Sequence, residues 1–226
     1  MKIYVGWDSR EDIAYQVCEH SIRRRTRRNN ISIIPLKQND LREQKLYWRD
    51  KDKLSSTEFT ITRFLVPYLN NYEGWAVFCD CDMVWRVDPR ELFDQVQDDK
   101  AVWVVKHEYE PEEGTKMDGQ MQLPYPRKNW SSMILWNCSH PKNQALTLDK
   151  VNTETPKFLH RFEWLDDEDI GTLDHGWNWL VGWYNEKRDG QAKIIHYTEG
   201  GPWFKNYRHC EYGDIWKNYL AEMMKR

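Results

Sequence analysis

The stretch "GWAVFCDCDMVW" (residues 74–85) decides how the chain is read. A glycine opens a run of apolar residues, Asp80 and Asp82 follow two apart, and a second apolar run comes close behind. The first run predicts a buried strand, "GWAVFCD" (74–80), that carries Asp80 to its carboxyl end; Asp82 lies on the same face if the chain stays extended. Two carboxylates held this close raise each other's pKa unless a positive charge sits between them. A divalent cation meets that need, and hard oxygen ligands suit Mg²⁺ or Mn²⁺. The same pair also reads as a turn cap beside an exposed aspartate.

Outward from this strand, "KIYVGW" (2–7), "ISIIPL" (31–36), "AVWVVKH" (101–107), "SSMILWN" (131–137) and "AKIIHY" (192–197) predict further strands. "DIAYQVCEHSIRRR" (12–25), "TEFTITRFLVPYL" (57–69), "DPRELFDQV" (88–96), "NQALTLDKV" (143–151), "EWLDDEDIGTLDHGWNWLVGW" (163–183) and "YGDIWKNYLAEMMKR" (212–226) predict helices. Ser55–Thr57 cap the second of these, and Asp88 with Pro89 starts the third. "KQNDLREQKLYWRDKDK" (37–53) reads as an irregular exposed segment, and a Pro/Gly-rich connection joins 107 to 131. Strands alternate with helices over the first 100 residues, which predicts βαβ units. The expectation is one α/β domain over 1–226, a mostly parallel central sheet flanked by helices, with no repeat or linker.

Composition sets limits. The 226 residues are 40% hydrophobic and 14% aromatic, enough for one large core. No 18-residue apolar run occurs, and "MKIYVGWDSRED" lacks a signal-peptide apolar region, so a cytoplasmic protein with no stable membrane anchor is expected. Five scattered cysteines (Cys18, Cys79, Cys81, Cys138, Cys210) fit free thiols in a reducing compartment. A net charge of −3 gives no general reason to bind nucleic acid; the run "IRRRTRR" (22–28) reads as the solvated end of the first helix. Thirteen tryptophans suit either a core or stacking on sugars and bases.

His196 lies near the end of the last strand, followed by Gly200 and Gly201. An imidazole there could complete an O,O,N metal set with Asp80 and Asp82. Glycines let the backbone approach a phosphate, and Lys205 could add positive charge. A core histidine is the other reading.

In this order, the pieces resemble GT-A-fold glycosyltransferases, most closely family eight, the glycogenin and galactosyltransferase-like retaining enzymes. "YVGWDS" (4–9) resembles the family's first strand and "STEFTITRFLVPYL" (56–69) its arginine-bearing helix. "FCDCDMVW" (78–85) matches the strand with the D-x-D. "SSMILWN", "DDEDI" (166–170) and "IIHYTEGGPW" (194–203) resemble its N-x-G-hydrophobic-N strand, D-Q-D segment and H-[FY]-x-G-x-x-K-P-W block. The resemblance implies a single Rossmann-like domain, with a nucleotide-binding half (1–100) and a donor-sugar and acceptor half (101–226). It implies transfer of a sugar from a UDP-sugar to an acceptor hydroxyl, with retention. Asp80, Asp82 and His196 would hold Mn²⁺ or Mg²⁺ against the leaving diphosphate. Gly6, Trp7, Asp8, Arg63, Asp80, Cys81, Gly201 and Lys205 would contact nucleotide and donor, and Asp167, Glu168 and Asp169 are the carboxyl groups nearest the anomeric carbon.

The chain departs from the pattern at several points. The last block is one residue short, no lysine precedes Pro202, and Lys205 lies beyond Trp203 instead. Ser132 stands at the family's glycine, Trp130 at its donor-sugar asparagine, and Glu168 at its glutamine. Donor-sugar specificity is therefore not carried over. "HGWNW" (175–179) offers aromatic walls for an acceptor, or core residues. Two other readings compete: a sugar-phosphate nucleotidyltransferase, disfavoured by the single glycine in "GWDSREDIAY" (6–15), and a non-catalytic carbohydrate-binding module, which needs no D-x-D.

Overall fold

A computed structural model of the chain describes residues 1–26, 31–50, 56–107, 127 and 129–225. Arg27, Arg28, Ser55, residues 51–53 of the polar segment and most of the connection before "SSMILWN" lie outside the described residues. Two sheets organise the rest. The main sheet holds β1 (Lys2–Gly6), β2 (Ser32–Leu36), β3 (Trp75–Cys79), β5 (Val102–Val105), β6 (Met133–Asn137) and β7 (Ile170–Leu173), in the order β2-β1-β3-β6-β5-β7. A small sheet joins β4 (Met83–Trp85), β8 (Trp179–Leu180) and β9 (Ile194–His196) in the order β4-β9-β8.

In the main sheet β1 pairs in parallel with β2 and β3, and β5 with β7; β6 runs antiparallel to both β3 and β5. Five of the six strands therefore share one direction, so the sheet is mostly parallel, as the alternation of strands and helices predicts. Ala76 to Cys79 of β3 are all fully buried. Both of its faces are covered, as its unbroken apolar run requires.

The helices are α1 (Asp12–Arg25), α2 (Gln38–Glu43), α3 (Val66–Leu69), α4 (Leu148–Thr153), α5 (Pro156–His160), α6 (Glu186–Asp189) and α7 (Gly213–Met224). α1 packs against β4 and α7. The segment 57–69 is not one helix: a 3₁₀ turn at Thr62–Leu65 leads into α3. Pro67 lacks an N–H, so it sits where the first turn of α3 needs none. The turn at Pro89–Asp94 is likewise 3₁₀, capped by Asp88 with Glu91 returning to the Asp88 N–H.

The main correction falls on 163–183, which is not helical. It contains a 3₁₀ turn (Asp167–Asp169), β7, a second 3₁₀ turn (His175–Asn178) and β8. Aspartates at 166 and 174 serve as N-caps of those turns and cut the segment into pieces. Gly171 pairs opposite Trp103 of β5 and leaves room for its ring, since a Cβ there would lie 2.3 Å from it. The polar segment also holds more order than expected, since Gln38–Glu43 form α2.

Candidate active site

β1 connects outward through α1 to β2, and the chain then returns to the far side of β1 as β3. The order of strands reverses between β1 and β3, and ligands of open α/β sheets sit outside the carboxyl ends at such a point. Asp8 follows β1 there, and Asp80 follows β3.

Beyond Asp80 the chain crosses to the small sheet. Asp80 N–H donates to the Ser132 carbonyl at 2.9 Å, extending the β3–β6 ladder by one residue. Met83 of β4 then pairs with His196 of β9, and Tyr197 N–H donates to the Asp82 carbonyl at 3.0 Å. This antiparallel pairing brings the late histidine to the early aspartates. One ligand atom from each of Asp80, Asp82 and His196 lies within 4.8 Å of the others. His196 Nε2 is 3.4 Å from Asp82 Oδ2. Asp82 Oδ1 is buried without a hydrogen-bond partner, a free lone pair where a cation would sit. Two carboxylates and one imidazole suit Mn²⁺ or Mg²⁺, so the residues fit such an ion.

The electrostatics agree. Burial first, and then Asp82, push the Asp80 carboxyl up to about 7, although Arg63 and His196 oppose the shift. Burial alone would lower the His196 pKa, but Asp82 and Asp80 outweigh it and raise it. Glu11 shares the cleft and is also pushed up to about 7, by burial and then by Asp82 and Asp8. The cleft thus gathers the carboxyl groups of Asp80, Asp82 and Glu11 and the His196 imidazole beside the Arg63 guanidinium, a set that suits a cation.

The cleft encloses about 560 Å³ and is lined by these groups with Arg63, Asn129, Ser131, Ser132, His160, Gly200 and Phe204. Arg63 is 5% exposed; its Nη1 meets Asp80 Oδ1 at 3.0 Å and the Ser131 carbonyl at 2.7 Å, with its plane over Phe59 and Phe78. Asp8 is fully buried. Its Oδ1 accepts from Arg10 N and Nε, and its Oδ2 from Arg10 Nη2 and Glu58 N. Although burial opposes it, these bonds hold the Asp8 carboxyl below the usual range.

The other residues singled out in the sequence fall into two groups. Gly6 is required by packing, since a Cβ there would lie 2.5 Å from the Phe59 ring; Gly201 is similarly closed by Trp203 at 2.0 Å. Trp7 donates to Asp12 Oδ1 at 2.7 Å and lies under Lys37, and Cys81 is buried with its thiol pushed well up by burial and by Asp82. None of these four lines the cleft. Lys205 is exposed and also outside the lining. Asp167 pairs with Arg127, Asp169 is held by Lys142 at 2.6 Å, and Glu168 is exposed; none of the three lines the cleft. Trp177 and Trp179 are fully buried, so "HGWNW" supplies core rather than acceptor walls. Trp130, at the family's asparagine, packs beneath Lys106 and Arg127 and donates to the His107 carbonyl at 3.4 Å.

Sequence reasoning missed Glu11, His160 and Asn178. Glu11 lies three residues after Asp8, on the same loop, which was the available signal. Asn178 was hidden between two tryptophans, and no local pattern marks His160.

The strand order and this site define the GT-A fold of glycosyltransferases, and solved structures share it. The bifunctional glycosyltransferase WbbM superposes with a TM-score of 0.67 at 19% identity, covering 98% of this chain and 49% of that one. GlyE of Streptococcus pneumoniae gives 0.62 at 14%, over 96% of this chain and 59% of its own. The galactosyltransferase LgtC, solved with donor and acceptor sugar analogs, gives 0.61 at 13%, over 98% and 96%. The chain thus spans about half of WbbM and nearly all of LgtC. No family model matches. In sequence, the chain is 51% identical over 230 residues to Protein CDI of Arabidopsis thaliana, covering 99% of this chain and 87% of that protein. It belongs to the family of Protein CDI.

Proposed function

We propose that the chain is a metal-dependent glycosyltransferase that moves a sugar from a UDP-sugar to an acceptor hydroxyl, with retention of anomeric configuration. The observation that carries this reading is the Asp80, Asp82 and His196 cluster at the strand ends of a GT-A fold. Mn²⁺ or Mg²⁺ held by those three residues would supply Lewis-acid stabilisation of a leaving diphosphate. The first half (1–100) would take the nucleotide and the second (101–226) the donor sugar and acceptor.

The chain's own residues prepare the site in three ways. Arg63 keeps Asp80 in place and adds one positive charge to the cleft wall. Asp8 orders the loop after β1 by fixing Arg10 and the Glu58 amide, so the nucleotide meets a rigid edge. Gly200, at φ +129, turns the chain beside His196 and brings backbone to the cleft. Of the three acidic residues that the resemblance puts near the anomeric carbon, Arg127 and Lys142 engage Asp167 and Asp169, and all three stand outside the cleft lining, so none is given a catalytic role here. The five free cysteines suit a reducing compartment such as the cytoplasm.

The test is calorimetric titration of UDP with and without Mn²⁺, on wild type and Asp82→Asn, followed by a turnover screen across UDP-sugars. UDP binding that needs Mn²⁺ and is lost in Asp82→Asn is expected. Binding indifferent to both metal and substitution would overturn the reading, as would turnover of a sugar phosphate with a nucleoside triphosphate instead.

A further inference from the structure

Behind His196 lies a chain of hydrogen bonds with one consistent direction. The Ser132 hydroxyl donates to the Asn129 carbonyl at 2.7 Å. The Asn178 side-chain nitrogen reaches both Ser132 Oγ, at 2.8 Å, and that same carbonyl, at 3.2 Å. The Asn178 side-chain oxygen lies 2.8 Å from His196 Nδ1. Asn178 is fully buried and His196 is 2% exposed, so the contacts of Asn178 with His196 and with Ser132 are closed to solvent.

The donors leave no second arrangement. The Asn129 carbonyl can only accept, and the Ser132 hydroxyl proton is committed to it. Whatever faces both must therefore donate, which places the Asn178 NH₂ on that side and its oxygen towards His196. Rotating the amide would set oxygen against oxygen inside a buried site. An oxygen facing Nδ1 requires Nδ1–H. In the neutral ring this leaves the lone pair on Nε2, the nitrogen beside Asp82.

Asn129 anchors the chain through its backbone. It adopts φ 62°, the left-handed region that asparagine tolerates better than most residues, and its carbonyl also accepts the Ser132 N–H at 3.3 Å. Ser132, the departure from the family's glycine, thus has a place: its hydroxyl is an acceptor for Asn178.

Resting on the metal-site reading above, we propose that Ser132 and Asn178 are positioning residues that hold His196 in its Nδ1–H tautomer and so present Nε2 to a divalent cation. Outer-shell partners of this kind commonly change metal affinity by about 10–100-fold when removed. Neither residue touches the cation in this scheme; both act through His196.

Two measurements on the full chain test this, neither of which needs turnover. Nitrogen-15 NMR of the metal-free protein, at a pH where the ring is neutral, should show His196 protonated at Nδ1. Mn²⁺ titration followed by electron paramagnetic resonance, without nucleotide, should show binding weakened about 10–100-fold in Asn178→Ala. A smaller loss is expected in Ser132→Ala. An Nε2–H ring in the wild type overturns the proposal, as does unchanged Mn²⁺ affinity in a folded Asn178→Ala. If Asn178→Ala does not fold, the wild-type tautomer and Ser132→Ala decide it. Wild type that binds no Mn²⁺ overturns this and the metal-site reading together. Mn²⁺ binding that follows the tautomer, with no UDP-sugar turnover, supports the relay and overturns only the transferase reading.

Discussion

Arg63 and Asp80 form an ion pair almost closed to solvent, Nη1 to Oδ1 at 3.0 Å with side chains 6% and 14% exposed. The guanidinium also fills the space over Phe59 and Phe78 and satisfies the Ser131 carbonyl. Removing one member of a buried pair leaves the other charge uncompensated, at a cost of about 3–5 kcal/mol. Arg63→Leu should therefore lose roughly 3 kcal/mol of stability in denaturant unfolding without metal. Adding Asp80→Asn to it should recover part of that loss, because the stranded carboxylate is gone. A double variant no more stable than Arg63→Leu would show that packing, not the ion pair, dominates.

Trp177 separates a binding role from a structural one. It is fully buried, meets Trp85 edge-on at 6.4 Å between ring centres and lies 4.9 Å from Lys193 Nζ. Trp177→Ala should cost about 3–5 kcal/mol, the range for emptying a large core site, and lower the unfolding midpoint accordingly. A variant of wild-type stability that has lost only acceptor binding would restore the reading of "HGWNW" as an acceptor wall.

How much of this was legible in the sequence depends on the range over which each signal acts. β1, β3, β6 and the D-x-D stand out because a buried strand writes itself as an unbroken apolar run. The link between Asp82 and His196 was legible only as a possibility, from a histidine near the end of an apolar strand, since the β4–β9 pairing that joins them is long-range and β4 has three residues. The helix expected over 163–183 failed because its apolar positions serve two sheets while Asp166 and Asp174 cap turns between them. The Asn178 relay was invisible for another reason: its direction is set by a backbone carbonyl, and no side-chain pattern encodes that.

Two buried histidines should each withdraw stability from the fold in mild acid. Burial pushes both His107 and His160 down to about 3, His107 with smaller contributions from His196 and His175, and His160 with one from Arg63. His107 meets the Tyr184 hydroxyl at 2.6 Å, and His160 the Ser131 hydroxyl at 2.8 Å. Between pH 6.5 and 3 the unfolded chain binds protons at these rings that the native state does not. The stability these rings confer is fully present above pH 6.5 and falls as pH drops, with a slope of up to about 1.4 kcal/mol per pH unit for each ring. Asp80 and Glu11, pushed up to about 7, act in the opposite sense over the same range. The rings are therefore read by difference: compared with wild type in urea unfolding from pH 8 to 5, His107→Gln and His160→Gln should each lack one ring's share of the acid-side loss. A decline unchanged in both His107→Gln and His160→Gln would assign it to other groups.

Asp8 offers the sharpest division between holding the fold and reading the nucleotide. Each of its oxygens already accepts two hydrogen bonds, from Arg10 and the Glu58 amide, which fills the capacity of the carboxylate. A direct contact to a nucleobase would have to displace one of them. Asp8→Asn replaces an acceptor-only group with one that donates on one side, so at least one donor of Arg10 or Glu58 faces an NH₂. The loss should be about 1–3 kcal/mol of stability, and the loop after β1 should exchange amide protons faster. Any weakening of UDP binding should then be shared by Arg10→Ala, which leaves Asp8 intact but frees the same loop. If Asp8→Asn abolishes UDP binding while Arg10→Ala leaves it untouched, the carboxylate itself reads the nucleotide and the hydrogen bonds seen here give way when it binds.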